Sequence, residues 1–152
     1  MLLRLMPEQV SYHWKIIKKS ILESLPRIEH EKADKINNIL AMLLNGNMQC
    51  WTSYRIEKKE KIIEAIIITT TLADGCSGVS SLLIYCLYGF RKISKGSWLE
   101  GLDALKKYAK SIGCSRVIGY TEVDDIIDFV KAVKGEAKYT FISISVFENQ
   151  TQ

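Results

Sequence analysis

The chain has 152 residues, 47% of them hydrophobic, which suits one compact domain with a substantial core and excludes a disordered chain. The net charge of +4, from 21 basic and 17 acidic residues, is small, and the basic residues are scattered without interleaved aromatics, which argues against a nucleic-acid-binding surface. Four cysteines without CxxC spacing, two histidines distant from them and no apolar run long enough for a membrane span argue against a zinc site, a disulfide framework and a membrane protein. Free thiols then point to a reducing cytoplasm.

Residues 2–6 suit a first strand. Pro7 follows, well placed to open a helix. Val10, Trp14, Ile17 and Ile21 recur at helical spacing, and Pro26 ends that helix. His13 and His30, on this helix and its exit, read as ordinary surface or packing residues. Ile36, Ile39, Leu40, Leu43 and Leu44 mark a second helix, stopped by Asn45-Gly46-Asn47.

Residues 48–54 alternate as a strand, and the charged stretch 57–61 turns the chain. Residues 62–72 form a long β-branched run, expected to be a central strand buried on both faces. Asp74-Gly75 is a turn signal, and 79–88 should complete a hairpin with that strand. A glycine-bounded basic loop spans 89–96. Ser97-Trp98-Leu99-Glu100 then has the pattern of a capping box, with Glu100 expected at the third helical position. Trp98, Leu102, Leu105, Ala109 and Ile112 supply the apolar stripe, and Gly113 ends the helix.

Residues 116–120 read as a short strand. A helix should start at 121–124, its acidic residues near the positive end of the helix dipole, with Val123, Ile126, Ile127, Val130 and Val133 facing the core and Gly135 closing it. Residues 139–147 alternate as a last strand, and 149–152 form a tail. The order β-α-α-β-β-β-α-β-α-β over 1–148 predicts one α/β domain: a three-layer sandwich with a mixed, mostly antiparallel sheet and helices on both faces.

Several segments carry a resemblance. Arg91-Lys92-Ile93-Ser94-Lys95-Gly96, between a strand and a helix, is similar to the Gln/Arg-x-x-Gly-x-Gly/Ala loop of the GCN5-related N-acetyltransferases, with Ser94 in place of the first glycine. Ala109-Lys-Ser-Ile-Gly-Cys114 resembles the end of that family's third helix. Residues 6–14, 39–51 and 98–114 are similar to small phage-encoded proteins of this fold, some of which serve in virions or their assembly. The resemblance implies that acetyl-coenzyme A could bind through Arg91, Lys92, Ser94, Lys95, Gly96 and Ser97, using loop amides and the helix N-terminus.

For catalysis it implies a base for the amine proton and an acid for the leaving thiolate. Glu64, the one carboxylate in the apolar run, is the candidate base, although a position at the strand entrance facing solvent is the preferred reading. The family's tyrosine acid is absent, because Phe129 is followed by Val130, which has no proton to donate. Tyr120 and Tyr139 are the possible substitutes. Asp74 fits a turn, and Asp124, Asp125 and Asp128 fit a helix start and its wet face.

Two readings follow. The first is a non-catalytic, virion-associated or assembly component, in the host cytoplasm or a virion, that contacts phage structural proteins or itself and needs no cofactor. Trp51, Trp98 and Phe90 would anchor such contacts. The second is an acetyl-coenzyme A-dependent N-acetyltransferase of a small amine or protein.

Overall fold

The computed structural model describes residues 1–25, 34–144 and 146. The chain divides into two compact units, Met1–Gly119 and Tyr120–Gln152.

The first unit holds β1 (Leu2–Arg4), α1 (Pro7–Tyr12), α2 (Trp14–Ser24), α3 (Lys35–Leu44), β2 (Met48–Glu57), β3 (Glu60–Ala73), β4 (Ser80–Gly89), α4 (Lys95–Ser111) and β5 (Arg116–Gly119). The strands lie in the order β1-β2-β3-β4-β5. Every pairing is antiparallel except β4 with β5, which is parallel. Residues on β2 and β3 alternate between the two faces of the sheet, as the pleat requires. One face carries Met48, Cys50, Ile66 and Ile68, packed with Val10, Ile17, Ile21, Ile39 and Leu43 of the first three helices. The other carries Trp51 and Ile67, packed with Leu105 and Ala109 of α4. Ile17, Ile21, Ile68 and Leu82 are wholly buried, each contributing about 1.5–3 kcal/mol. The mixed sheet with helices on both faces matches the expected architecture, and the middle of β3 is buried on both sides.

Three local features go beyond or depart from the sequence reading. The first helix is broken at His13, which ends α1 and begins α2 while hydrogen bonds run on through it: its amide donates to the Gln9 carbonyl and its carbonyl accepts from Ile16 and Ile17. Pro26 and His30 lie outside the described residues. The β2–β3 turn uses Lys58 and Lys59, both at positive φ (50° and 69°), where a two-residue hairpin turn ordinarily recruits glycine or asparagine. Two bulges interrupt the ladders. Ser53 pairs with Ala65 and Tyr54 with Ile63, so Glu64 is extra; Ile68 pairs with Cys86 and Thr69 with Ile84, so Tyr85 is extra.

The second unit contains α5 (Asp124–Ala132). Its end is a Schellman motif: the Lys134 amide bonds to the Lys131 carbonyl and the Gly135 amide to the Val130 carbonyl at 2.8 Å. The left-handed residue is Lys134 (φ 61°), not the glycine. No residue of α5 is fully buried, contrary to the expected core-facing stripe, and Val123 is 53% exposed. The strand expected over 139–147 is absent across 139–144; this stretch makes no ladder, and Tyr139, Ile142 and Ile144 are exposed.

Candidate functional site

The β4–β5 ladder stops at Ile84 and Gly119. From Tyr85 to Gly89, β4 runs on with β3 on one side and no strand among the described residues on the other. It leads directly into the 90–94 loop and α4.

Ser94 is the N-cap of α4. Its backbone is extended (φ −67°, ψ 153°), and its side-chain oxygen accepts the Ser97 amide at 3.1 Å, while its carbonyl accepts the Trp98 amide at 3.0 Å. Ser94 also donates to the Ser97 hydroxyl at 3.1 Å. The helix therefore starts three residues earlier than the sequence suggested, and the 97–100 capping box does not form. Glu100 lies beyond the first turn, where its carboxylate pairs with the Met1 amino group at 3.3 Å. The first turn carries no acidic residue.

With Ser97 satisfied by Ser94, the amides of Lys95 and Gly96 remain without acceptors inside the helix. A side chain at Gly96 would approach nothing closer than the Ser94 hydroxyl at 3.9 Å, so the protein's own packing does not demand glycine there. Arg91, Lys92 and Lys95 are exposed, and among the described residues no carboxylate pairs with them. Three free cations, open amides and the positive end of a 17-residue helix form a site suited to an anion.

Glu64 sits beside this loop. Its carbonyl accepts the Phe90 amide at 2.9 Å, and its neighbour Ala65 pairs with Gly89. Ile93 lies over Gly89, with its Cδ1 3.7 Å from where a Cβ would stand. The solvent-facing reading of Glu64 is wrong: the bulge turns its side chain inward and leaves it 2% exposed. Its carboxylate accepts from the Ser53 hydroxyl at 3.3 Å and lies 3.9 Å from Nε of Arg55, which also pairs with Glu57 at 3.2 Å. One hydrogen bond and one looser ion pair leave much of the accepting capacity of a carboxylate unused. Ser53 and Arg55 were not foreseen, because the register that brings them to Glu64 depends on a bulge.

The remaining candidates are dispersed. Tyr120 and Tyr139 lie in the second unit, 63% and 94% exposed, and the Tyr120 ring rests against Phe141 at 5.2 Å. Trp51 is a core residue, 6% exposed, whose indole donates to the Thr69 hydroxyl at 2.9 Å while Thr69 donates to Gln49 at 3.0 Å. Trp98 and Phe90 are half-buried. A second pair escaped the sequence reading: the Tyr88 phenol hydrogen-bonds with Glu23 of α2, an interaction that raises its pKa. His13 is exposed, and among the described residues no cluster of three or more His, Cys, Asp or Glu could hold a metal. Asp74 serves its turn, held below its ordinary pKa by the Ser77 hydroxyl at 2.6 Å and the Cys76 amide at 3.0 Å.

Solved structures match over nearly the whole chain. A probable acetyltransferase superposes with a TM-score of 0.67 at 10% identity, over 99% of both chains. The chain has the fold of the GCN5-related N-acetyltransferases. Similar in the same way are a ribosomal-protein-alanine N-acetyltransferase from Brucella melitensis biovar Abortus 2308 (TM-score 0.63, 12% identity, 95% of this chain and 99% of that one) and AAC(6')-Iy in complex with the bisubstrate analog CoA-S-monomethyl-acetylneamine (0.67, 11%, 95% and 96%). No protein-family model and no curated protein sequence matches. At such identities the likeness is one of acetyltransferase fold, and function has to be argued from the residues. Among the described residues no helix is long and apolar enough to cross a membrane.

Proposed function

We propose that the chain is an acyl-coenzyme A-dependent N-acyltransferase, acetyl-coenzyme A being the first donor to test. The observation that carries this reading is the start of α4. Ser94 caps the helix itself, so the residue that replaces the family's glycine does not block the amides of Lys95 and Gly96. Those amides, with Arg91, Lys92 and Lys95, are the groups that would hold a diphosphate. The departure of Glu100 from the first turn removes the like charge that would oppose an anion there.

When bound, the coenzyme supplies an activated acyl thioester. The chain's own contribution is to fix the anionic end of the donor and to offer Glu64 as the acceptor of the amine proton. Glu64 suits that task by its burial next to the loop and its unfilled accepting capacity. Val130 cannot return a proton to the thiolate. Tyr120 and Tyr139 are the phenols that could, and their exposure leaves solvent as the ready alternative.

Thermal unfolding with acetyl-coenzyme A tests the reading, since a ligand that binds only the folded state raises the melting temperature. Stabilisation is expected, and Arg91→Ala should weaken it. No stabilisation by either acetyl-coenzyme A or coenzyme A would remove the proposal.

A second reading is the non-catalytic interaction protein, favoured by Val130 in the acid's place and by the exposed Phe141, Ile142, Ile144 and Val146. The three phage-like segments give it a setting in virion assembly. It predicts no response to the coenzyme.

A further inference from the structure

The first unit contains an open cavity of about 450 Å³ at the far end of α4 from the anion site. Met42 of α3, the 46–47 turn, Gln49 of β2, Thr70 and Thr71 of β3, Tyr108 of α4 and its C-cap Ile112 line it. From Gly96 to Tyr108 the helix rises about 18 Å, so the two sites are separate. The lining holds no charged residue, although 25% of the chain is charged.

A line of buried hydrogen bonds ends at this cavity. The Trp51 indole can only donate, so Thr69 accepts from it at 2.9 Å and donates its own hydrogen to the Gln49 side-chain oxygen at 3.0 Å. The Gln49 amide nitrogen donates to the Gly46 carbonyl at 3.0 Å. This order of donors fixes which end of the amide is oxygen, and Gln49 is only 5% exposed. One N–H and one lone pair of that amide remain unspent. The Thr71 hydroxyl and the Tyr108 phenol have no hydrogen-bond partner among the described residues. A fixed polar line that reaches a cavity with capacity to spare suits a ligand that completes its hydrogen bonds.

We infer that this cavity is a second binding site, for a neutral sugar of pyranose size. The uncharged lining gives an ionic ligand no partner. A hydroxyl both donates and accepts, so adjacent sugar hydroxyls match the Gln49 amide and the Thr71 and Tyr108 hydroxyls in either sense. Met42 and Ile112 supply the apolar wall for the C–H face of the ring. A planar base would instead need an aromatic ring to stack on, and the Tyr108 ring is engaged by the Arg4 guanidinium at 5.3 Å and by Trp51, edge-on, at 5.0 Å.

The test uses the full chain without coenzyme, so its outcome is independent of the proposed activity. Amide shifts are followed by NMR during titration with the methyl glycosides of glucose, galactose and mannose, with N-acetylglucosamine, and with glucuronate as the charged counterpart. At least one neutral sugar should give saturable shifts centred on Gly46, Asn47, Gln49 and Thr71. Tyr108→Phe and Thr71→Val each remove one hydroxyl and keep the side chain's shape. Each should raise Kd about 2- to 10-fold, the worth of one hydrogen bond, while the rest of the spectrum shows that the fold persists. No saturable shift with any of the four neutral sugars overturns the inference. Shifts centred elsewhere, an affinity that ignores both variants, or equally tight binding of glucuronate overturns it as well.

Discussion

The Ser94 hydroxyl oxygen accepts the Ser97 amide at 3.1 Å, and this one bond fixes both the start of α4 and which amides face the loop. Removing it with Ser94→Ala should cost about 1 kcal/mol of stability, and Ser94→Gly only a few tenths. Ser94→Asp keeps a capping oxygen and should hold the stability. It would also put an anion where the coenzyme's diphosphate is proposed to lie, so it should weaken coenzyme binding. Denaturant unfolding together with titration of acetyl-coenzyme A separates the two effects. Equal binding by wild type and Ser94→Asp would move the anion site away from this helix.

Glu64 is the residue on which the proposed chemistry depends. Glu64→Gln keeps an oxygen for the Ser53 hydroxyl and removes the proton acceptor. It should fold and bind coenzyme like the wild type while slowing acyl transfer by about 100- to 10,000-fold, the usual worth of a general base. Thiol release followed against a panel of primary amines gives the rate. An unchanged rate would reduce Glu64 to a structural partner of Arg55.

How far the sequence discloses this site follows from local and non-local physics. The layers and the succession of elements from β1 to β5 were legible, because the apolar periodicity of β3, α3 and α4 is local and the two faces of the sheet have separate helical partners. The start of α4 was misplaced because two serines compete for the cap. Ser97 with Glu100 has the sequence pattern, while the three-dimensional bond belongs to Ser94. Glu64 was conspicuous as a charge in an apolar run, yet its burial depends on a bulge opposite Ser53 that no periodicity encodes. The break at His13 left no signal, since proline and glycine are both missing there. Residues 139–144 have a strand's sequence and make no ladder among the described residues, because pairing is a property of two segments.

The chain of bonds from Trp51 through Thr69 to Gln49 crosses β2 and β3 on the face that α4 covers. Thr69 is wholly buried and serves as acceptor to one neighbour and donor to the other. Thr69→Val preserves the shape and strands both partners, at a cost of about 1–3 kcal/mol for each group left unsatisfied. Trp51→Ala should cost about 3–5 kcal/mol as a core truncation. Chemical denaturation reads both. A Trp51→Ala protein of wild-type stability would return this residue to the surface role that the sequence first suggested.

Alkaline pH should act through two buried thiols. Cys50 and Cys86 pair with the same residue, Ile68, from opposite sides of β3 and sit in the core beneath the first three helices. Burial pushes Cys50 up to about 12, with the nearby Cys86 adding to the rise. Burial likewise raises Cys86 to about 11, against the opposing pull of the Ser24 hydroxyl and of Lys35. An unfolded chain releases both protons near the ordinary value of 9.0, whereas the folded chain holds them. Between those limits the folded state binds more protons, so stability falls as pH rises. The thiols' contribution is fully present below pH 9.0 and is lost through about 11 for Cys86 and about 12 for Cys50, with a limiting slope of about 1.4 kcal/mol per pH unit for each thiol. Tyrosines and lysines titrate in the same range, so the comparison must be with Cys50→Ala and Cys86→Ala. Denaturant midpoints measured from neutral to alkaline pH should fall less steeply in the double variant than in the wild type. Parallel curves would mean that these thiols ionise as readily in the folded chain as in the unfolded one, and that the core on this face of the sheet admits water.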